Sequence, residues 1–405
     1  MKTLNQKVKE LASSFLEEVT EIRRHLHMYP ELSFEEFKTS EFISSQLKRL
    51  KIPHQNGIVE TGIVALIEGR NPSSAIIALR ADMDALPITE SNNVPYKSKI
   101  PGIMHACGHD AHTASLIGAA KILSQLKDEF EGTIKLIFQP GEEKLPGGAS
   151  LMIKEGVLEN PSPKSIFGQH VFPSMEAGKV GFRSGMYMAS TDEIYITVNG
   201  KGGHAAMPQQ YNNPIFIASS ILLELQELFM HPEKKQIPDV PTVLAFGKFI
   251  ANGATNVIPD HVKIEGTFRT MNEEWRLKAH HLMKTTAEKI AKEMGGSCEF
   301  NISKGYPLLI NDDLLTKRAK RAAEDFLGKE NVEELQIRMT GEDFAFYSQE
   351  VPACFYRLGT DNKQRGITSG VHTATFDIDE KALETGMGLL AFLAIKELKY
   401  AASSN

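Results

Sequence analysis

The chain of 405 residues has little of several features that mark other classes of protein. Its three cysteines are too few and too scattered for a disulfide framework and fit a reducing compartment. It contains no run of about 18 apolar residues, which argues against a transmembrane helix. The formal net charge is −6, so no basic excess favours nucleic acid or an anionic membrane. We therefore expect a globular protein that binds neither nucleic acid nor membrane.

The first 27 residues lack the apolar core of a signal peptide, because charged residues occur throughout them. Apolar residues recur there at helical spacing from Leu4 to Leu26, which predicts an amphipathic helix that ends before Pro30. We expect a cytoplasmic protein. Neither a P-loop nor a G-x-G-x-x-G motif follows a predicted strand, which disfavours a nucleotide enzyme.

Short apolar segments alternate with helical patterns between about residues 57 and 172. This alternation predicts an α/β sheet with helices on its faces. The predicted strands are residues 63–67, 75–79, 133–138 and 165–167, and the predicted helix among them covers residues 111–126. Polar residues follow three of these strands. In open α/β sheets ligands bind beyond the carboxyl ends of strands, so we expect the three polar segments to converge at one edge.

The pattern changes after about residue 191 and predicts a second, smaller domain. Strand, helix, strand, strand, helix and strand follow one another between Asp192 and Ser303, which is the β-α-β-β-α-β order of a ferredoxin-like unit. The α/β pattern resumes after Tyr306. We therefore predict a discontinuous larger domain of residues 1–187 and 305–405, with an inserted domain of residues 188–304.

Reactive side chains are densest in residues 105–112, which include three histidines, one cysteine and one aspartate. Thiolate and imidazole are strong ligands for zinc and similar metals, so Cys107 and His109 form a candidate ligand pair. Gly108 between them allows the chain to bend so that both face one ion. The pair is not a zinc finger, because no second pair follows at the required spacing. For His105 and His112 we favour polar residues that flank a helix.

Adjacent carboxylates at Glu142 and Glu143 follow a predicted strand in a loop rich in glycine and proline. If both are buried and ionised, their repulsion raises a pKa unless a cation lies nearby. We infer that one carboxylate binds metal and the other moves protons. The alternative is a solvated pair on the surface.

Four further residues are ambiguous when considered singly. His170 and His372 cannot be selected as metal ligands from their spacing. Asp82 and Asp84 follow a buried strand, where carboxylates either orient histidine ligands or cap a helix.

Three residues of the predicted inserted domain could contact a ligand. His204 follows two glycines, which allow a sharp backbone path. Asn256 lies in a turn, and Arg269 ends a predicted strand. Arginine suits bidentate recognition of a carboxylate, but from the residues alone a surface charge at a strand end is the better interpretation of Arg269.

Together these motifs resemble the dinuclear-metal amidohydrolases that include hippurate hydrolase, N-acyl-L-amino acid amidohydrolase and the auxin-conjugate hydrolases. These are relatives of aminoacylase and glutamate-releasing carboxypeptidase. The resemblance covers nearly the whole chain, and the matching positions are residues 23–32, 79–87, 105–112, 139–143, 202–204, 256, 269, 341–344 and 372. It implies a zinc-peptidase-like mixed-sheet catalytic domain with an inserted ferredoxin-like domain that acts as lid and dimerisation domain.

The resemblance also implies roles for the candidate residues. Two divalent metal ions, from among zinc, manganese, cobalt and nickel, would be held by Cys107, His109, Glu143, His170 and His372. Glu142 would be the general base, with Asp84 supporting the ligands, and Asp82 stands where the carboxypeptidase relatives have a histidine ligand. His204, Asn256 and Arg269 would bind the substrate carboxylate and polarise the scissile carbonyl. The expected assembly is a homodimer through the lid domain, or a higher oligomer.

The expected reaction is metal-dependent hydrolysis of the amide bond of N-acyl-L-amino acids, with N-acetyl, benzoyl or similar acyl groups. One alternative is a dipeptidase or carboxypeptidase that acts on short peptides. Another is a cysteine hydrolase in which Cys107 is the nucleophile. A metal- or peptide-binding protein without activity ranks third.

Overall fold

The computed structural model describes residues 2–230 and 238–403, which form two compact units. The larger unit extends to Tyr187 and resumes in Ile310–Gln336 and from Asp343 onward. The smaller unit consists of Met188–Leu309 and Ile337–Glu342. The larger unit is therefore discontinuous in sequence, and a short segment near residue 340 belongs to the smaller one.

The helices of the described residues differ widely in length. They are α1 Leu4–Met28, α2 Phe37–Arg49, α3 His109–Gln125, α4 Gly148–Lys154, α5 Pro214–Met230, α6 Glu273–Glu293, α7 Asp313–Leu327, α8 Ala345–Glu350 and α9 Ala382–Ser403. None of them, within residues 2–230 and 238–403, combines the length and apolar character that a bilayer crossing requires.

The strands belong mainly to one large and one smaller sheet. They are β1 His54–Ile58, β2 Gly62–Glu68, β3 Ile76–Asp82, β4 Thr133–Gln139, β5 Ile166–Glu176, β6 Val180–Phe182, β7 Gly185–Met188, β8 Ser190–Asn199, β9 Gly203–His204, β10 Thr242–Ile250, β11 Val257–Ile258, β12 His261–Thr270, β13 Ser297–Lys304, β14 Leu309–Asn311, β15 Val332–Glu334 and β16 Ala353–Asp361.

The larger unit is built on a mixed sheet of eight strands in the order β1-β2-β4-β3-β5-β16-β6-β15. Its centre is parallel, because β3 pairs in parallel with β4 and β5, and β5 with β16. Helix α3 is buried along almost its whole length, and the apolar core of this unit includes residues of α1, α3 and α9. The predicted α/β class with a mixed sheet is confirmed, and the carboxyl ends of β3 and β4 lie side by side.

One strand is longer than the sequence indicated. We expected a strand at residues 165–167 with His170 beyond its end, but β5 continues to Glu176 and His170 lies inside it. The polar Gln169 and His170 interrupt the apolar pattern and imitate a strand end. The strand continues because β16 pairs with it as far as Glu176, whereas pairing with β3 stops at Gly168. His170 therefore lies two residues beyond the last pair with β3, level with the end of that strand.

The smaller unit contains a four-stranded antiparallel sheet in the order β10-β12-β8-β13. Helices α5 and α6 contribute to one apolar core with this sheet, through residues such as Ile221 and Met283. The order of these main elements is the predicted β-α-β-β-α-β, and a short β9–β11 pair is added to it. Its role as an inserted lid and dimerisation domain stays a prediction.

Substitution of Gly118 by valine should destabilise the larger unit, because α3 lies very close to its neighbours at this residue. A Cβ atom there would lie 2.7 Å from the sulfur of Met387 and 3.1 Å from a methyl group of Val19. Overpacking of this kind costs about 1–3 kcal/mol of unfolding free energy. Urea unfolding of Gly118→Val measures it. The control Gly370→Val should be neutral, because no atom lies within 4 Å of a Cβ there.

Candidate metal centre

The five predicted metal ligands come from four segments of the larger unit. Cys107 and His109 flank the start of α3, Glu143 follows β4, His170 lies within β5, and His372 is in the loop before α9. Gly108 makes the first turn possible, because its φ is +82° and a Cβ would lie 2.6 Å from Val171.

The ligand atoms of these residues converge in two groups that share Cys107. Cys107, His109 and His170 form one group, and Cys107, Glu143 and His372 form the other, with all ligand atoms of a group within 4.8 Å of one another. Cys107 Sγ lies 3.4 Å from His170 Nε2, and His372 Nε2 lies 3.0 Å from Glu143 Oε1. This arrangement suits two neighbouring ions with Cys107 between them.

The two buried histidines among the proposed ligands, His109 and His170, both face the other ligand atoms with Nε2. His109 Nδ1 lies 3.0 Å from Asp84 Oδ1, and His170 Nδ1 donates to the backbone carbonyl of Val171 at 2.8 Å. A carboxylate and a carbonyl can only accept, so Nδ1 carries the proton in each ring. Nε2 is then the nitrogen that faces a metal, which would displace any proton there, and the partner at Nδ1 fixes the orientation of the ring.

Two buried polar atoms at the centre receive no hydrogen bond in the described residues: His109 Nε2 and Glu143 Oε1. The ring nitrogen of His372 is close to the Glu143 oxygen, but outside hydrogen-bonding geometry. Buried polar atoms without partners cost free energy, which a coordinated cation would offset. One thiol, three imidazoles and one carboxylate are ligands that suit zinc and its neighbours, so the residues fit the divalent metals expected here.

The electrostatics of the cluster also favour a cation. Burial lowers the pKa of His109, but Asp82 and Asp84 outweigh it and raise this pKa to about 10. Burial and the carboxylates of Glu143 and Glu142 raise the pKa of the Cys107 thiol well above its usual value. Reactive cysteines have the opposite shift, so this setting disfavours Cys107 as a metal-free nucleophile. A divalent cation would reverse the shift and deprotonate the thiol.

Asp84 connects two of the ligand segments. Besides its contact with His109, its carboxylate accepts hydrogen bonds from the backbone N–H of Glu143 at 3.0 Å and from the Ser33 hydroxyl at 2.6 Å. Of the two alternatives that the sequence left open for Asp84, the geometry favours orientation of a histidine over capping of a helix.

Both carboxylate oxygens of Asp82 have close partners. One oxygen lies 2.6 Å from Arg80 Nη1, and the other lies 2.5 Å from His112 Nδ1. His112 Nε2 accepts the backbone N–H of Val171 at 2.9 Å, so both ring nitrogens of His112 are engaged. These two residues therefore link the end of β3 to β5 beside His170, and Asp82 Oδ2 also lies 3.8 Å from His109 Nε2.

The buried Arg80 is a residue that sequence reasoning missed. Its guanidinium contacts Asp82, Gln139 at 2.8 Å and Asp343 at 2.7 Å, so it ties the ends of β3 and β4 to the segment before α8. The sequence feature that could have identified Arg80 is a charged residue within a buried strand. The backbone N–H of Asp343 lies 3.4 Å from Glu142 Oε1, which places the buried Glu142 beside this network.

The three predicted substrate-binding residues lie in the smaller unit. His204 and Asn256 are neighbours there, because β9 pairs with β11 and the N–H of Ala205 donates to the carbonyl of Asn256 at 3.1 Å. His204 Nδ1 accepts the N–H of Ala206, so its Nε2 can act as a donor. Arg269 is half-buried on β12, and its Nη1 donates to the carbonyl of Met339 at 3.1 Å.

Comparison with known proteins gives a consistent set of relatives. Residues 78–396 match the family model described as peptidase family M20/M25/M40. The chain is 39% identical to an N-acetylcysteine deacetylase of Bacillus subtilis over 92% of this chain and 95% of the relative. It is 38% identical to the IAA-amino acid hydrolase ILR1-like 5 of Arabidopsis thaliana, over 96% and 89%. It is 36% identical to thermostable carboxypeptidase 2 of Saccharolobus solfataricus, over 97% and 98%.

Solved structures agree with these relatives. The YXEP protein of Bacillus subtilis, described as a dinuclear metal binding peptidase from the M20 family, superimposes with a TM-score of 0.82 at 35% identity. The match covers 96% of this chain and 99% of that one.

Replacement of Asp84 by asparagine should weaken divalent metal binding by about 10- to 100-fold, because an amide is neutral and accepts through one oxygen only, whereas Asp84 accepts from His109 on one oxygen and from Glu143 and Ser33 on the other. Titration of metal-free protein with manganese measures the affinity. Asp192→Asn is the matched control, since Asp192 is also a buried aspartate in contact with a histidine but lies in the smaller unit, where its other partner is Arg276. Wild-type affinity in Asp84→Asn would contradict the role assigned to this carboxylate.

Proposed function

Because the chain belongs to peptidase family M20/M25/M40 and is a metal-dependent hydrolase, we propose that it hydrolyses the amide bond of N-acyl-L-amino acids with two divalent metal ions. The observation that carries the proposal is the convergence of five ligands in two groups around Cys107. The names of the deacetylase and of the IAA-amino acid hydrolase both describe hydrolysis of an acylated amino acid, which favours this substrate class. Zinc, manganese, cobalt and nickel all suit the ligand set.

The proposed ligands are Cys107, His109, Glu143, His170 and His372. Metals bound there would supply Lewis acidity, which lowers the pKa of a water molecule and polarises the scissile carbonyl. Asp84 keeps His109 in the tautomer that such a metal requires.

Glu142 is the proposed general base. It is buried, precedes the ligand Glu143, and belongs with His109 and Glu143 to a third group of converging ligand atoms. It would take the proton from the attacking water and then deliver a proton to the leaving amine. A carboxylate can serve both steps, because it accepts a proton in the first and releases it in the second.

His204, Asn256 and Arg269 are the proposed substrate contacts. Arg269, with Asn256, would bind the carboxylate of the amino acid, which would select N-acyl amino acids over longer peptides. His204 would donate from Nε2 to the developing oxyanion. As part of a lid, these residues would act when the lid closes over the bound substrate.

A carboxypeptidase or dipeptidase activity is the second candidate, favoured by the thermostable carboxypeptidase among the relatives. A panel of N-acetyl, benzoyl and indoleacetyl amino acids and short peptides, assayed side by side on metal-loaded enzyme, separates the two. Higher kcat/KM on the acylated amino acids supports the proposal, whereas a preference for peptides supports the second candidate.

Glu142→Gln should lower kcat on the preferred substrate by about 10²- to 10⁴-fold while two metal ions remain bound, since the amide cannot accept the proton. Steady-state kinetics together with metal analysis of the same sample test both parts. Lys144→Gln is the control in the same loop, because Lys144 is exposed. Normal turnover in Glu142→Gln would rule out the proposed base, and loss of metal would assign Glu142 as a ligand.

We also propose a homodimer through the smaller unit. Strand β10 lies at the edge of its sheet and pairs with β12 alone within the described residues. Its exposed side chains include Val243 and Phe249, which are 36% and 42% exposed. A long apolar edge strand is a template for pairing with another chain, and natural monomers protect such edges with charge.

Introduction of lysine at both Val243 and Phe249 should therefore convert the dimer to a monomer, because charge at an edge opposes pairing. Light scattering after size-exclusion chromatography measures the mass. Leu314→Lys is the control, since Leu314 is 65% exposed on α7 in the larger unit. If the double variant keeps the wild-type mass, the proposed interface is wrong.

A further inference from the structure

The segment from Arg23 to Glu36 belongs to none of the groups described so far, yet it carries buried polar side chains. Arg23, His27 and Glu36 are fully buried, and Ser33 is 8% exposed. Arg23 and His27 lie at the end of α1, whose other buried residues are mainly apolar. A fully buried guanidinium requires anionic partners, so the partners of Arg23 indicate what it does.

Arg23 lies between two segments that carry proposed metal ligands. Its Nε donates to Asp110 Oδ2 at 2.8 Å, and its Nη2 donates to Asp377 Oδ1 at 3.0 Å. Asp110 directly follows His109 in sequence, and Asp377 lies in the loop of His372. Arg23 therefore connects the start of α3 with that loop through two charged hydrogen bonds.

The two ends of this connection are held unequally. His27 Nδ1 also contacts Asp110, at 2.7 Å, and His109 has its own partner in Asp84. The side chain of His372 is 51% exposed, so its position depends on the loop that carries it. This loop is held by backbone hydrogen bonds of His372 with Ala106 and of Ala374 with Ser91, both at 2.7 Å, and by the Asn92 side chain, which donates to the carbonyl of Phe376 at 2.9 Å. Asp377 adds its contacts with Arg23 and with the Tyr96 hydroxyl.

The rest of the segment supports the remaining ligand loops. The Ser33 hydroxyl donates to Asp84, which orients His109. Glu36 accepts the backbone N–H of Gly141 at 2.8 Å, immediately before Glu142 and Glu143, and the Thr61 hydroxyl at 2.8 Å. One continuous stretch thus contacts three of the segments around the metal centre and reaches the His372 loop through Arg23.

We propose that Arg23 is a positioning residue that sets the affinity for the second metal, the ion held by Cys107, Glu143 and His372. By binding Asp110 and Asp377 together it fixes the separation between the α3 start and the His372 loop. The ion held by Cys107, His109 and His170 depends on Arg23 much less, because Asp84 and Val171 fix those two rings directly. This inference rests on the proposed function only in requiring that the cluster binds two ions.

The test is titration of metal-free protein with manganese, with calorimetry for affinity and elemental analysis for stoichiometry. The variants are Arg23→Lys, which keeps the charge but cannot reach both carboxylates, and Asp377→Asn, which replaces the charged acceptor on the loop side by a neutral one. Asp377 is partly exposed, with 13% of its side chain accessible, so its variant tests the proposal even if Arg23→Lys does not fold. Circular dichroism and thermal unfolding without metal report on folding.

Arg24→Gln is the matched control. Arg24 is the next residue of the same helix and pairs at 2.9 and 2.7 Å with Glu380, which also lies 3.5 Å from Arg23 Nη1. Arg24 contacts neither Asp110 nor Asp377 among the described hydrogen bonds. We expect it to bind two ions as the wild type does. In Arg23→Lys and Asp377→Asn, the first ion should bind normally and the second about 10- to 100-fold more weakly.

The outcomes separate the hypotheses. Selective weakening of the second ion in a folded variant supports the proposal, and recovery of turnover at high manganese would support it further. Unchanged binding of both ions in folded Asp377→Asn overturns it, as does equal weakening of both ions, because the proposal requires selectivity. If the wild type itself binds fewer than two ions, the proposed dinuclear function fails first, and that result is distinct from the others.

Discussion

The contact between Asp84 and His109 is the one on which the geometry of the metal centre depends. Asp84 follows a buried strand, so its position is set by the sheet rather than by a loop. Its two oxygens reach His109 in α3, the backbone of Glu143 after β4, and Ser33 after α1. Three segments distant in sequence thus meet on one carboxylate, and the ring of His109 is oriented before any ion binds.

This arrangement concentrates negative charge where water cannot screen it. Asp82, Asp84, Glu142 and Glu143 surround the ligand atoms, whereas Arg80 compensates on only one side, through Asp82 and Asp343. Buried like charges repel unless a cation lies among them. Burial and these same carboxylates raise the pKa of the Cys107 thiol when no metal is bound. Metal binding therefore contributes to the stability of the fold as well as to its chemistry.

The sequence revealed the parts of this structure that have a local pattern. The α/β architecture followed from alternating strands and helices, whereas the mixed sheet was implied by the family resemblance. Cys107 with His109 stood out because ligand types rarely cluster so densely. His170 and His372 have no such pattern, and only the family resemblance selected them. The end of β5 was misjudged because pairing with β16 is invisible in the sequence. Arg80, Ser33 and Glu36 were missed because their partners are far along the chain.

Helix α1 contributes both to the apolar core of the larger unit and to the proposed positioning of metal ligands. Its apolar side chains, such as Val19 and Ile22, belong to the main core of the larger unit, and this packing fixes the axis of the helix. Arg23 is the next residue of the helix after Ile22, so the packing of these apolar side chains determines where its guanidinium lies. Hydrophobic packing is not directional, whereas the hydrogen bonds of Arg23 to Asp110 and Asp377 are. The core thus supplies the free energy that holds α1 in place. The hydrogen bonds of the buried Arg23 at its end then set the distance between the two ligand segments.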